Sequence, residues 1–419
     1  MEESEQEELR IDERSFDLIP RDILSMPKDF LELMVDRLSI SDQLQFARVC
    51  KLCHSLVFER PNPKAHETPS LIGLSLTADP TFCGRRTFKE ITCYQIQPKF
   101  FQHSNPCIIG SFKGWLCLQY YKEKLIQLVN LFSNIHLDLP PLPTMKNVIP
   151  SDKSLSLVGP PGCVRAFAVL FCAFMRPIMT AIVSEDGKLS VCKIGGSAWE
   201  PHETDEQYVN VAFHDMKLYA MRKNYSMVDI FEIDHDLKLL PVGVIEIDDG
   251  MKLFPLAFVC SSPVINTPSK WDRPFRAYLV VEPQKNDLFL VMRHCREVKV
   301  DFFTVEFEIY KVCGDRLVKL DTLGDQIVLL NDSCSEIVDV KDCPPTSLVQ
   351  GNQICLSSSL KGNSKKNVGI YSFKDGIVRW LPPFRGFYSI HWMFPRLAGK
   401  CHCESHITCC PKLSQASNS

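Results

Sequence analysis

The residues best suited to chemistry lie near the end of the chain, where thiols and imidazoles are crowded into a short segment. Thiolates and imidazoles are the usual ligands of zinc, provided that the thiols are reduced. The spacing here, C-x-C followed by C-C, matches no standard zinc finger, because those repeat C-x2-C pairs. We interpret the segment as an irregular tail and keep a metal site as the alternative, with these candidate ligands: Cys401, His402, Cys403, His406, Cys409 and Cys410.

Catalytic signatures are absent from the sequence. It contains no phosphate loop, no G-x-G-x-x-G dinucleotide motif, no H-E-x-x-H zinc motif and no G-x-S-x-G nucleophile elbow. The isolated pair Gly195-Gly196 follows a predicted strand and indicates a turn, and His214 at a strand end indicates a structural histidine. We therefore expect a chain that is not an enzyme and that needs no cofactor.

The charge balance and the cysteine content limit the partners and the cellular compartment that the sequence favours. The 419 residues carry 47 Lys and Arg against 50 Asp and Glu, so the net charge of -3 offers no basic excess for nucleic acid. The 19 cysteines accompany an acidic N-terminus without an apolar signal core, which favours reduced thiols in the cytoplasm or nucleus. The longest apolar run, 166–175, is too short for a membrane span of ~20 residues.

Residues 24–58 carry a helical period. The apolar residues of SMPKDFLELMVDRL recur at helical spacing, and Pro27 is tolerated in a first turn. Ser41 and Asp42 are N-cap candidates for a second helix that reads QLQFARVCKLCHSLVFE and ends at Pro61. The segment predicts two helices, or three with a short first turn, and is too small to bury a good core alone.

From about residue 70 the sequence predicts short strands separated by turns. No helix-rich spacers of the βαβ type lie between them, which argues against a parallel α/β sheet. The predicted strands are KLIQLVNL, KLSVCKI, YVNVAFH, KLYAM, VDIFEI, AYLVVE, DLFLVMR, FTVEFEIYKV, QIVLL, NQICLS and NVGIYSF.

A weak internal sequence similarity supports a fold that is built from repeated units. LDLPPLP at 137–143 and RWLPPF at 379–384 each follow a predicted strand, as the exits of repeated blades would. So many strands in one domain favour a mainly β fold with a β-propeller of six to eight blades, because that architecture leaves few exposed edges. The expected domains are an acidic disordered leader, a small all-α module, the propeller and a Cys-rich disordered tail, at residues 1–20, 21–62, 70–400 and 401–419.

The helical segment resembles an F-box. Met26-Pro27 stands in the Leu-Pro position, and the spacing agrees through Leu31, Val35, Arg37-Leu38, Asp42 and Phe46-x-x-Val49-Cys50-Lys51. The pattern departs where Met26 replaces Leu and where Cys53-His54-Ser55 replaces the closing Trp-Arg-Ser. The missing Trp removes a large apolar anchor and weakens the expected partner contact.

The β-rich remainder resembles the C-terminal domain of a large group of plant F-box proteins, the kelch-like, KIB-type domain of unknown function. The resemblance covers roughly residues 20–400 and depends on an ordered set of motifs. They are Gly110-Ser111-x-x-Gly114-Trp115-Leu116, Asn130-Leu-Phe-Ser to Pro143, Val211-Ala-Phe-His-Asp-x-Lys-Leu-Tyr-Ala220, Tyr278-Leu-Val-Val-Glu282 with Leu288-x-Leu-Val-x-Arg293, Phe307-x-Ile-Tyr-Lys-Val312 with Leu320-Asp-Thr-Leu-Gly-Asp325, Asn352-Gln-Ile-Cys355 and Trp392.

The resemblance implies a substrate receptor of an SCF ubiquitin ligase. The F-box would bind the Skp adaptor, and through it a cullin, while the propeller binds a target protein that the sequence does not identify. Conjugation chemistry would then belong to other subunits. The residues implied in the adaptor contact, each of which could instead pack inside the F-box, are Met26, Pro27, Leu31, Val35, Leu38, Leu44 and Val49.

Two other hypotheses stay open. A propeller with a degenerate F-box could act as a scaffold outside any ligase, which the missing Trp and the Met26-Pro27 pair favour. A metal-dependent or glycan-acting propeller enzyme would contain metal, and would lose it on truncation at Lys400.

Overall fold

The structure is a computed structural model. It describes residues 26–60, 66–75, 84–88, 91–96, 106–120, 124–142, 164–247, 273–282, 285, 287–298, 301–344, 349–357, 368–382 and 387–399. The predicted leader, 1–20, and the predicted tail, 401–419, lie outside the described residues, as do the tail's candidate metal ligands.

Three helices precede the strands: α1 (Lys28–Asp36), α2 (Ile40–Phe46) and α3 (Lys51–Phe58). The predicted second helix is divided in two, because Cys50 adopts extended backbone and caps α3 with its thiol. The N-cap of α2 is Ser39, whose hydroxyl accepts a hydrogen bond from the Asp42 amide, rather than Ser41 or Asp42. The Ser39 hydroxyl thereby satisfies one of the amides that a helix start leaves without a partner.

The described strands are short and follow one another closely. The first twelve are β1 (Ser70–Ser75), β2 (Gly84–Phe88), β3 (Ile91–Ile96), β4 (Cys107–Phe112), β5 (Trp115–Tyr120), β6 (Leu125–Asn130), β7 (Ile135–Leu139), β8 (Val164–Phe171), β9 (Pro177–Ser184), β10 (Leu189–Lys193), β11 (Glu200–Pro201) and β12 (Tyr208–His214). The others are β13 (Lys217–Arg222), β14 (Met227–Ile233), β15 (Leu239–Glu246), β16 (Arg273–Glu282), β17 (Asp287–Val298), β18 (Asp301–Cys313), β19 (Arg316–Leu320), β20 (Gln326–Leu330), β21 (Ser335–Asp339), β22 (Gln353–Ser357), β23 (Val368–Ser372), β24 (Ile377–Trp380) and β25 (Phe387–Met393).

These strands form sheets that follow one another around a ring. Four sheets have four strands each, with the orders β4-β5-β6-β7, β8-β9-β10-β11, β12-β13-β14-β15 and β2-β3-β1-β25. The fifth sheet, β19-β18-β17-β16-β21-β20-β22-β23-β24, joins two blade-sized groups through the single parallel pair Val281–Glu336. We therefore count six blades among the described strands.

The inner strands close the ring. β4 contacts β8, β8 contacts β12, β12 contacts β16 and β16 contacts β21, while β25 contacts both β22 and β4. The last blade combines the two ends of the domain, because β1 pairs antiparallel with β25 from Ser70–Met393 to Ser75–Phe387. The architecture is a mainly β propeller, which confirms the fold class expected from the sequence.

The hydrophobic pattern of each strand follows its place in the blade. The second strand of its sheet, β5, is buried along its whole length, and Trp115 donates its indole N–H to the Met175 carbonyl oxygen of the next blade (3.0 Å). The outer strand β7 alternates between exposed and partly buried residues up to Leu139, as a half-covered edge does. All eleven predicted strands coincide with observed ones.

The two Leu-Pro-Pro segments follow β7 and β24, the outermost strands of their sheets. This is the position predicted for them as exits from repeated blades. The first exit is anchored to the neighbouring blade, because the Trp199 indole donates to the Pro140 carbonyl oxygen (2.8 Å). None of the described helices is long and apolar enough to cross a lipid bilayer.

Candidate interaction surface

The three helices form a compact helical module, defined here as residues 26–60. Its core consists of Leu31, Val35, Ile40, Ala47, Leu56 and Val57, with Leu397 of the propeller. Arg60 ties the end of α3 to α1 through an ion pair with Asp36 (2.6 Å) and a hydrogen bond to the Glu32 carbonyl oxygen (3.2 Å). The buried Gln43 side-chain amide donates to the carbonyl oxygens of Val35 (2.8 Å) and Leu38 (3.3 Å), so its N–H groups find partners inside the module.

The helical module packs directly against the propeller. Leu397, which is 2 % exposed, supplies the side chain that completes the module's core. The Ile40 amide donates to a Glu67 carboxylate oxygen (2.7 Å), and the His66 amide donates to the Leu38 carbonyl oxygen (3.1 Å). Propeller residues thus provide both the apolar cover and the polar ties that three short helices cannot supply alone.

The seven residues that the resemblance implies in the adaptor contact have different surroundings. Leu31 and Val35 are 1 % and 0 % exposed and lie in the module's own core. Val49, which is 67 % exposed, and Pro27 lie at the surface. The others are partly buried: Met26, Leu38 and Leu44.

Two further exposed apolar residues are not among those that the sequence predicts for the adaptor contact, although Phe30 belongs to the helical apolar pattern. Phe30 and Leu33 on α1 are 51 % and 63 % exposed. They are three positions apart and are therefore neighbours on the helix surface. The signal was present in the sequence, because α1 has more apolar residues than one buried stripe needs. Which of the two stripes is covered depends on the packing of α1 against α2, α3 and Leu397, and Leu397 is too distant in sequence for a local pattern to indicate.

The inner strands of the described blades line a small cavity. A cavity of about 20 Å³ lies among residues of the inner strands, including Phe112, Val169, Phe213, Leu279 and Cys334. A cavity needs about 10–15 Å³ on this measure to hold one water molecule, so this space has room for about one water.

A charged cluster lies where β4 turns into β5. The Lys113 amide donates to a carboxylate oxygen of Glu336 (3.2 Å), whose residue is 1 % exposed. Burial raises the pKa of Glu336, although Arg396 opposes the shift. Burial and the charge of Arg396 lower the pKa of the Lys113 ammonium to about 8. The cluster is a buried polar contact between blades.

The other candidate residues are placed as follows. Among the described residues, Asp234, His235 and Asp236 form the one group with metal-sized spacing, in an exposed turn. Such exposed groups are common without a metal. Gly195 has a φ of 79°, which fits the predicted turn. Burial lowers the pKa of His214, whose ring packs edge-on against Tyr219.

The ring of sheets and the buried inner strands define a β-propeller. The family model for the KIB1-4 beta-propeller matches residues 87–372, more than half of the chain. The chain belongs to the KIB1-4 β-propeller family. No curated protein matches the chain.

Solved structures give weaker similarities. The chain is similar to YCF48 bound to a D1 peptide, to a protein from Lactobacillus plantarum and to the Dos1 propeller, with identities of 12 %, 12 % and 10 %. The TM-scores are 0.26, 0.37 and 0.31, and the alignments cover 50 %, 78 % and 66 % of this chain. They cover 50 %, 100 % and 61 % of those chains, so this chain spans half of the YCF48 chain. Similarity at this level says nothing about what the chain binds.

Proposed function

We propose that the chain is the substrate-recognition subunit of an SCF-type ubiquitin ligase. The helical module is an F-box that binds the Skp-like adaptor, and through it a cullin, while the propeller binds the target protein. Membership of the KIB1-4 propeller family indicates a protein-interaction scaffold, which suits such a subunit. In this function the chain carries no catalytic residue, needs no cofactor and works in the cytoplasm or nucleus.

The observation that carries the proposal is the second apolar face of α1. Leu31 and Val35 are buried in the module, whereas Phe30 and Leu33 are exposed on the same helix. Single exposed apolar residues are ordinary on protein surfaces, but two neighbours on a helix that is already buried on its other side are less so. An apolar helix face of this kind fits docking against the helices of a partner.

The attachment of the module to the propeller also supports the proposal. The contact through Leu397 and the hydrogen bond from Ile40 to Glu67 hold α1 and α2 against the blades. A receptor that must present a target to a distant enzyme benefits from such a fixed connection, because a loose one would spread the target over many positions.

The test measures binding of the full-length chain to a purified Skp adaptor by surface plasmon resonance. Leu33→Glu places a charge on the exposed face of α1 without touching the module's core. Ile377→Glu is the matched control, because Ile377 is also exposed (57 %) but lies on the propeller strand β24. We expect Leu33→Glu to weaken binding by about tenfold or more, since a buried unpaired charge costs over ~1.4 kcal/mol. We expect Ile377→Glu to bind like the wild type.

Two outcomes would overturn the proposal. If the folded wild-type chain binds no Skp adaptor, the chain is a propeller scaffold with a degenerate F-box. If Leu33→Glu binds like the wild type, the exposed face of α1 is not the adaptor contact. Leu31→Ala is unsuitable for this test, because removing a core residue would confuse loss of folding with loss of binding.

A further inference from the structure

Two cysteines at the start of α3 form a C-x-x-C pair, Cys50-Lys51-Leu52-Cys53. Cys50 is the N-cap of this helix, and its sulfur accepts a hydrogen bond from the Cys53 amide (3.5 Å). The two Sγ atoms lie 3.4 Å apart. A disulfide holds its sulfurs about 2.05 Å apart. The thiols are therefore in contact, with no other side chain between them.

The surroundings of the two thiols differ in the way that a reactive pair requires. Cys50 is partly exposed, and the hydrogen bond from the Cys53 amide, followed by that from the Cys53 thiol, lowers its pKa. Cys53 is 1 % exposed, and burial raises its pKa to about 11. Thiolates are the nucleophiles in sulfur chemistry, so Cys50 is the thiol that an oxidant meets first.

Cys50 is also accessible to small molecules. It lines an open depression of about 610 Å³, together with Ala47, Lys51, His54, Ser55 and Glu59. A small peroxide can therefore reach the Cys50 sulfur without opening the module.

We propose that Cys50 and Cys53 are a reversible redox site, which hydrogen peroxide oxidises to an intramolecular disulfide. The Cys50 thiolate attacks one peroxide oxygen, the O–O bond breaks, and the departing hydroxide takes up a proton to leave as water. Cys50 is then a sulfenic acid. The Cys53 sulfur attacks it, the S–O bond breaks, and the hydroxide leaves as water with the Cys53 proton. Two thiols lose two electrons and two protons, and a dithiol reductant restores both.

The other neighbouring cysteines among the described residues do not combine a partly exposed thiol of lowered pKa with a buried thiol of raised pKa. Cys117 and Cys334 interact with each other, but both are buried, and burial raises both pKa values. Cys343 and Cys355 are likewise buried and have raised pKa values. These four thiols are internal controls.

A zinc site is not supported at the Cys50 and Cys53 pair. Among the described residues, no His, Cys, Asp or Glu joins the two cysteines within metal-binding distance. A structural zinc ion takes four ligands, so two thiols alone do not form such a site. Disulfides in reducing compartments are usually transient and redox-sensing, which fits a partly exposed pair. The inference does not depend on the proposed ligase function.

The test treats the reduced full-length chain with hydrogen peroxide, blocks the remaining thiols with N-ethylmaleimide and analyses tryptic peptides by mass spectrometry. Trypsin cleaves after Arg48 and Lys51, so the two cysteines fall on separate peptides that only a disulfide joins. We expect residues 49–51 and 52–64 to appear as one linked species that dithiothreitol separates. We expect Cys50 to react at least about tenfold faster than the four buried control thiols.

Variants separate the two chemical steps. Cys53→Ala should stop the reaction at the Cys50 sulfenic acid, which dimedone traps. Cys50→Ser should leave Cys53 unmodified by peroxide, because burial protects it. If the wild-type chain yields no linked peptides, or if Cys50 reacts no faster than Cys117, the proposal is wrong. These readouts do not involve the Skp adaptor, so they stand apart from the binding test.

Discussion

Asn331 and Trp392 exchange two hydrogen bonds where the propeller closes. The Asn331 side-chain amide donates to the Trp392 carbonyl oxygen (2.9 Å), and the Trp392 amide donates to the Asn331 side-chain oxygen (2.8 Å). The Ser357 hydroxyl donates to the same oxygen (2.5 Å), and the Ser111 hydroxyl donates to the Trp392 carbonyl oxygen (2.6 Å). One buried side chain thus connects the blade that contains β20 and β22 to β25, which contacts β4.

Asn331→Ala should therefore destabilise the whole propeller. It leaves the Trp392 amide and the Ser357 hydroxyl buried without their acceptor, so we expect a loss of about 3 kcal/mol in the free energy of unfolding. Urea unfolding followed by tryptophan fluorescence measures it. The control is Asn224→Ala, because Asn224 is exposed and accepts one hydrogen bond from the Ser226 amide. Equal losses of unfolding free energy in Asn331→Ala and Asn224→Ala would show that the Asn331 hydrogen bonds do not stabilise the closed propeller.

Glycine is required at position 114 for two reasons: the backbone has a positive φ, and a neighbouring segment of the chain leaves no room for a Cβ atom. Its φ is 79°, and an added Cβ would lie 2.6 Å from the Arg396 carbonyl oxygen. Gly314 has a similar φ of 65° with nothing within 4 Å of such an atom. We expect Gly314→Ala to cost about 1 kcal/mol from the left-handed backbone alone. Gly114→Ala should cost about 3 kcal/mol or more, since the overlap must also be relieved.

Thermal unfolding of both glycine variants under reducing conditions measures the difference. Both glycines have a similar positive φ. A larger fall in melting temperature for Gly114→Ala than for Gly314→Ala therefore measures the cost of the close approach of Arg396. Similar melting temperatures for the two variants would show that the segment around Arg396 moves aside at little cost.

Much of this fold follows from local patterns in the sequence. Buried runs such as QIVLL predict the strand β20 because the β-branched and apolar residues suit a strand covered on both faces. The division of the predicted second helix could not be anticipated. It depends on the extended backbone of Cys50, a residue that also fits the apolar stripe of a continuous helix.

Neither the strand pairing that closes the propeller ring nor the exposed apolar face of α1 could be predicted from local patterns. Ser70 pairs with Met393 from the other end of the domain, and no local period carries that information. Likewise the helical spacing of α1 shows two apolar stripes, but the packing of α1 against α2, α3 and Leu397 decides that Leu31 is covered and Leu33 is exposed. Long-range packing therefore sets which residues are available for binding.

Leu31 and Leu33 give a matched pair for the stability of the helical module. Leu31→Ala removes a fully buried side chain and should lower local stability by about 2–5 kcal/mol. Leu33→Ala changes a side chain that is 63 % exposed and should alter stability by less than about 0.5 kcal/mol. Hydrogen exchange of the α1 to α3 peptides measures the opening of the module. Equal effects of the two substitutions would contradict the assignment of the buried face.

His391 should make the propeller sensitive to acid. It is buried in β25, and burial lowers its pKa to about 4, although the charge of Asp332 opposes the shift. The unfolded chain has the ordinary pKa of about 6.5 and binds the proton first as the pH falls. The stability that neutral His391 contributes is therefore complete above pH ~6.5 and is lost progressively between ~6.5 and ~4, at up to about 1.4 kcal/mol per pH unit.

The measurement is the free energy of unfolding by urea at several pH values, for the wild type and for His391→Gln. The difference between the two isolates this one ring from every other titrating group in the chain. We expect the wild type to lose stability faster than His391→Gln on acidification through this window. His235→Gln, which replaces a ring that is 82 % exposed, controls for the substitution. Parallel pH curves for the wild type and His391→Gln would show that His391 takes up its proton equally well in the folded propeller.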